Sequence, residues 1–165
     1  MNRIWAPWRH AYVSGPGTGE GCLLCRIAAS PSEDAANFVL ARSPLLFVLL
    51  NRFPYVNGHL MVVPLRHRPD LRSLEPAERA ALMEMLTTCE RALTEGLRCQ
   101  GMNGGWNLGS CAGAGIPGHV HLHLLPRWPG DVNFMSSVAE TRVMSASLER
   151  SYADLLPFFA GDAGS

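Results

Sequence analysis

Lysine is missing from this chain of 165 residues: all fourteen basic side chains are arginine, matched by fourteen acidic ones for a formal net charge of zero. A balanced chain lacks the global basic field that draws nucleic acid, so no nucleic-acid partner is expected. No apolar run approaches the roughly 18 residues of a membrane-spanning helix. Met1-Asn-Arg-Ile-Trp5 lacks the apolar core of a secretory signal. Cysteine occurs five times, and an odd count suits a reducing interior better than a disulfide framework. The expectation is a cytoplasmic protein with no membrane partner. Internal repeats and linkers are also lacking. The length suits a single domain over 1–165, with an irregular arm at 1–21 and a loose tail at 161–165. Such a domain buries roughly two-thirds of its unfolded surface.

What is there centres on Gly118-His119-Val-His121-Leu-His123-Leu-Leu-Pro126-Arg-Trp128. Three of the six histidines alternate with Val120, Leu122 and Leu124, the period-2 pattern of a half-buried strand. The imidazoles then share one face, neighbours about 6.6 Å apart and the outer two about 13 Å. An exposed polar strand face more often carries Thr, Ser, Lys or Glu, and a titratable row is costly to bury without partners. Two chemical readings remain. His-x-His can place two imidazoles on one catalytic metal, here His119 and His121. Alternatively His121 is a nucleophile held by its neighbours. A span of about 13 Å counts against one ion bound by all three.

Upstream, Trp5-Ala-Pro7-Trp8-Arg9 is an aromatic cluster that packs as a lid or stacks on a ligand. Cys22-Leu-Leu-Cys25 is a redox pair or half a zinc site. A redox pair belongs at a helix start in a βαβ setting, which the sequence does not suggest. Strands are predicted at 37–41, 45–50 and 59–64, with Asn57-Gly58 supplying the positive-φ residues of a tight hairpin. Arg66, Arg68 and Arg72 form a cationic patch or a solvated turn. A long helix follows, with Pro76 at its first position and Glu75 and Glu78 at the positive end of its dipole. Its apolar stripe is Ala81, Leu82, Met85, Leu86, Cys89, Ala92, Leu93 and Leu97, where Cys89 is a packing residue. A glycine-interrupted strand is predicted at 102–108, the histidine strand at 119–125, and an amphipathic helix from Ser147 to Phe159 that Pro157 shortens. Between the last two strands, Gly109-Ser-Cys-Ala-Gly113-Ala-Gly115-Ile-Pro117-Gly118 can present backbone N–H groups to an anion, and beside a histidine row it suggests phosphate.

The pattern His-φ-His-φ-His-φ-φ (φ apolar) resembles the signature of the histidine-triad (HIT) superfamily of nucleotidyl hydrolases and transferases. The resemblance runs over about residues 22–135, through Phe47-Val-Leu-Leu-Asn51, Gly58-His-Leu-Met-Val-Val-Pro64, the long helix, and His119 to Trp128. Trp5-Ala-Pro-Trp-Arg9, Asn107-Leu-Gly-Ser and Pro126 to Phe134 are similar to the branch that acts on dinucleoside polyphosphates, the bacterial diadenosine tetraphosphate phosphorylase-like proteins. The resemblance implies an α+β fold: a five-stranded antiparallel sheet with one long helix and a C-terminal helix, the sheet extended across a homodimer. By the same resemblance, His121 attacks the α-phosphorus and becomes a nucleotidyl-histidine, and His123 hydrogen-bonds phosphate oxygens. Asn51 binds ribose hydroxyls, Asn107 contacts phosphate oxygens, and the Ala114, Gly115 and Ile116 backbone forms the phosphate loop. The hydrolase branch often carries Gln or Ser in that loop. Gly115 and Ile116 remove a leaving-group donor and leave space for inorganic phosphate as second acceptor, so phosphorolysis is the expected reaction type. A structural zinc is implied on Cys22, Cys25, His67 and His119, with His59 the alternative third ligand, and Mg²⁺ can accompany a polyphosphate substrate. Other readings are a nucleoside phosphoramidate hydrolase, a metalloenzyme on His119 and His121, and a nucleotide-binding module of low turnover.

Overall fold

Pro76 opens the longest element because its missing N–H would have no helical partner there and its φ is already helical. The Glu75 side chain accepts from the backbone of Glu78, whose side chain reaches back to the Glu75 N–H, closing a reciprocal cap. The result is a 22-residue helix, Pro76–Leu97, which ends at Arg98 in the left-handed conformation. The structure, a computed structural model, describes residues 21–131 and 146–160. The Trp5–Arg9 cluster, Asn133-Phe134 and the 161–165 tail lie outside the described residues.

In chain order the elements are α1 (Leu23–Ala29), β1 (Val39–Arg42), β2 (Leu46–Leu50), β3 (Leu60–Pro64), α2 (Pro76–Leu97), β4 (Gly101–Gly105), β5 (Leu122–Arg127) and α3 (Leu148–Leu155). The strands form one five-stranded antiparallel sheet in the order β1-β2-β3-β5-β4. This is the sheet and long helix expected from the sequence, with two shifts that matter for the site. The histidine strand was expected at 119–125, yet its ladder begins at Leu122. Pairing with β3 stops at Val62 opposite Leu122. Farther along, Pro64 has no N–H to offer, and its carbonyl accepts from the His119 ring instead. The strand expected at 102–108 likewise runs instead from Gly101 to Gly105, its last pair lying opposite His123, one residue from the start of β5. Asn107 is thereby released into a loop.

Strand alternation sorts the core into two layers. Leu46, Val48, Leu50, Leu60, Val62, Leu122 and Leu124 face α2 and α3, where they meet Leu82, Cys89, Ala92, Leu93 and Leu155. Cys89 is fully buried in this layer, and burial pushes its thiol up to about 12, as expected for a packing residue. Phe47, Leu49 and Val63 face the other way and are covered by Leu24 and Ile27 of α1. Met61 and Ile116 pack on this second layer, and Met61 lies opposite His123 in the register.

The β2–β3 connection, from Asn51 to His59, is longer than the tight hairpin predicted from Asn57-Gly58. Only Gly58 takes a positive φ, +73°. A Cβ there would collide with Leu97 and press on Pro126, so this loop packs against the end of α2. No described helix is long and apolar enough to cross a membrane.

Candidate active site and metal cluster

Because β5 starts late, His119 and His121 sit just before the ladder, and each is held by side-chain and backbone contacts of its own. His119 is fully buried and its Nε2–H donates to Pro64 O at 2.8 Å. His121 is 6% exposed and its Nδ1–H donates to His119 O at 2.8 Å. With Nδ1 protonated by that bond, Nε2 of His121 keeps the lone pair. Burial lowers the pKa of His121 below the ordinary imidazole value, which favours the neutral, nucleophilic ring; the bond to the His119 carbonyl partly opposes this.

His123 is oriented by a residue considered in the sequence only as an alternative metal ligand. His59, fully buried at the start of β3, lies with Nε2 2.9 Å from His123 Nδ1. The Tyr55 backbone N–H donates to His59 Nδ1 at 3.2 Å, and the Asn51 side-chain amide is 3.4 Å from the same nitrogen. An accepting Nδ1 puts the proton of His59 on Nε2, where it is donated to His123 Nδ1. His123 must then carry its own proton on Nε2. The chain of bonds therefore sets opposite roles on neighbouring rings: an Nε2 lone pair on His121 and an Nε2–H on His123. These two rings lie edge to face, with centroids 4.9 Å apart. Burial, reinforced by the nearby His123 and His121 rings, lowers the His59 pKa to about 3, so it stays a neutral link.

His121 and His123 line one small recess with Asn51, Asn107, Gly113 and Gly115, closed by Phe53, Tyr55 and Met61. Five residues proposed from the sequence therefore meet: Asn51, Asn107, Gly115, His121 and His123. Asn51 is held by the Phe53 N–H, which donates to its side-chain oxygen at 3.0 Å. Ala114 and Ile116 flank Gly115 but do not line the recess, and the Ile116 side chain turns into the α1 layer. Before them the loop makes a short 3-10 turn, Ser110–Ala112, between Gly109 and Gly113, both at positive φ. His59, Phe53 and Tyr55 were not assigned to substrate in the sequence. The only local signal for His59 was its place in Gly58-His-Leu-Met-Val-Val-Pro64.

A second cluster lies on the other side of His119. Cys22 precedes α1 and Cys25 falls in its first turn. This is a helix start, but the sheet beside it is antiparallel rather than βαβ, and both thiols are free. Cys22 Sγ is 3.4 Å from His119 Nδ1, and Cys25 Sγ is 3.3 Å from His67 Nδ1 and 3.5 Å from His119 Nδ1. All four ligand atoms lie within 4.8 Å of one another. A tetrahedral ion with bonds of about 2.0–2.3 Å sets its ligands roughly 3.3–3.8 Å apart, so the three contacts of 3.3–3.5 Å match Zn²⁺, around which the wider pairs would close. The Nε2–H bond to Pro64 leaves Nδ1 of His119 as the nitrogen that could ligate a metal. This is the one grouping of three or more metal-type side chains among the described residues, and a thiolate–imidazole set does not suit Mg²⁺.

An antiparallel sheet with one long helix, presenting a row of histidines to a small polar recess, defines a histidine-triad protein. The chain belongs to the HIT domain family, whose pattern matches residues 32–130. It is 34% identical over 153 residues to the AP-4-A phosphorylase of Mycobacterium tuberculosis, spanning 87% of this chain and 77% of that one. It is 27% identical over 121 residues to the bis(5'-nucleosyl)-tetraphosphatase [asymmetrical] of Schizosaccharomyces pombe, spanning 73% and 63%. Among solved structures, a Zn-bound histidine triad family protein from Mycobacterium smegmatis aligns with a TM-score of 0.68 at 29% identity, over 85% of this chain and 94% of that one.

Proposed function

We propose that this HIT-family enzyme cleaves dinucleoside polyphosphates through a nucleotidyl-histidine intermediate on His121, resolved by inorganic phosphate. The observation that carries the proposal is the pair of opposite tautomers in the recess, a lone pair at His121 Nε2 beside a proton at His123 Nε2. The likeness to an AP-4-A phosphorylase supports the substrate class. His121 Nε2 attacks the α-phosphorus, the bond from phosphorus to the bridging oxygen breaks, and the remaining polyphosphate leaves. His123 Nε2–H and the loop amides around Gly115 stabilise the charge on the phosphoryl oxygens. Asn51 positions the ribose, and Asn107 contacts the phosphate chain. In the second step a phosphate oxygen attacks the same phosphorus and frees the imidazole.

Phosphorolysis of diadenosine tetraphosphate then gives ADP and ATP, whereas hydrolysis gives AMP and ATP. Product analysis at millimolar phosphate tests this, and a mixture free of ADP would leave the phosphorolysis reading without support. His121→Asn should abolish turnover and acid-labile adenylylation while the far-UV circular dichroism is retained. If that variant kept more than a few per cent of activity, His121 would not be the nucleophile.

Cys22, Cys25, His67 and His119 are proposed to hold one structural zinc. With four protein ligands the site is closed, so bound zinc supplies cross-linking energy rather than a water or substrate position. A homodimer is proposed at the β4 edge of the sheet, beside which Met83 and Trp106 expose large apolar side chains.

A further inference from the structure

His119 to His121 lie ahead of the β5 ladder, so the sheet does not hold the backbone on which the nucleophile is mounted. A short segment from the last residue of β3 onward does this instead, at three points. The His119 ring donates to Pro64 O, the His67 and His119 rings meet edge-on with centroids 5.1 Å apart, and the Val120 N–H donates to Arg68 O at 2.6 Å. Val120 sits between the carbonyl that holds the His121 ring and His121 itself. The course of the segment 64–68 therefore sets where that carbonyl points.

At the centre of the segment is Arg66, whose guanidinium faces away from the recess. Its Nε–H donates to Glu78 Oε1 at 2.8 Å and its Nη2–H to Glu78 Oε2 at 2.6 Å, a two-pronged pair. Glu78 is 2% exposed and is fixed in turn by the Glu75 N–H, which donates to Oε2 at 2.7 Å. The first turn of α2, the longest described element, is thus bolted to the loop that cradles the histidines.

We infer that Arg66 and Glu78 are a positioning pair: they hold the Pro64–Arg68 segment so that His119 O orients His121 and His67 faces the cysteines. The inference rests on the reading of His121 as nucleophile. The rival account is a pair that only stabilises the fold. The two accounts part because removing both partners leaves no unpaired charge behind: Glu78 is buried but the Arg66 side chain is 40% exposed, so the double change costs the fold little. A stabilising pair therefore predicts a double variant, Arg66→Met with Glu78→Leu, that is folded and fully active. A positioning pair predicts one that is folded and slow.

The experiment measures kcat and KM on diadenosine tetraphosphate for the double variant and for Arg66→Lys, which keeps the charge and loses the fork. Leu155→Ala, a core change under α3, serves as a destabilised control. A second readout loads each protein with Co²⁺ and follows loss of the thiolate-to-cobalt absorption to a chelator. The expected result is kcat lowered roughly tenfold or more with KM within about twofold, as misplacement of a reacting group produces. Faster cobalt loss should accompany it, and both should be absent in Leu155→Ala. If the double variant does not fold, Arg66→Lys is read in the same way. Wild-type kcat and wild-type cobalt loss in the folded variants would overturn the inference. An active His121→Asn would instead defeat the nucleophile reading, while the cobalt readout, which needs no nucleophile, would still decide on the clamp.

Discussion

His59→Leu separates the histidine network from ordinary packing, because its effect must change with pH. In the native protein His59 is fully buried and its pKa is lowered to about 3. In the unfolded chain an imidazole titrates near 6.5. Between those values the unfolded state binds the extra proton and the folded state does not, so stability rises with pH through this window and is lost as pH falls. Integrating the difference, His59 alone removes about 2 kcal/mol of stability between pH 7 and pH 5. Leucine has no proton to bind, so its stability curve lacks that fall. At pH 7 the variant also removes the His59 bonds to the half-buried His123 ring and to the Tyr55 N–H, together worth about 1–3 kcal/mol. The variant should therefore be less stable than the parent at pH 7, and the gap should narrow by about 2 kcal/mol at pH 5. Urea unfolding at the two pH values measures both gaps. Parallel stability curves would refute a neutral, proton-excluding His59. Freed from its donor, the His123 ring is no longer held in the Nε2–H form, so kcat should also fall.

Metal analysis of protein purified without chelator should find close to one zinc per chain, dropping in Cys22→Ser with a lower melting temperature; fully folded, active protein without zinc would refute the site. Sedimentation should show a dimer that Trp106→Glu weakens, because a charge at this exposed aromatic opposes an apolar contact; an unchanged assembly would place the contact elsewhere.

Patterns governed by neighbours along the chain were legible in the sequence. The stripe from Ala81 to Leu97 follows helical geometry, and the apolar residues Leu122 and Leu124 face the α2 layer as strand alternation requires. Pro76 and the paired glutamates marked the start of α2, since caps are satisfied within one turn. Side-chain chemistry also carried far: a row of imidazoles beside a glycine loop suggested phosphate, the resemblance added Asn51 and Asn107, and five residues of this combined set line one recess. The zinc set was named through resemblance, because no local rule joins Cys22 and Cys25 to His67 and His119.

Contacts between distant segments were decided only by the tertiary structure. The antiparallel register of β3 and β5 places Met61 opposite His123 and thereby brings His59 onto the His123 ring, a pairing across 64 positions that neither residue's neighbours specify. The same register ends at Val62 opposite Leu122, short of Pro64, which lacks an N–H, and so leaves His119 and His121 outside the strand that alternation predicted. Arg66 read as part of a cationic patch until α2 docked Glu78 beneath it, since a charge's partner depends on which surfaces meet. Sequence alone determined which side chains were available and the periodicity that gives each a face. Which imidazole nitrogen carries the proton was set by the carbonyl acceptors of Pro64 and His119 and by the Nε2–H donor of His59, and those come into reach only when the sheet closes.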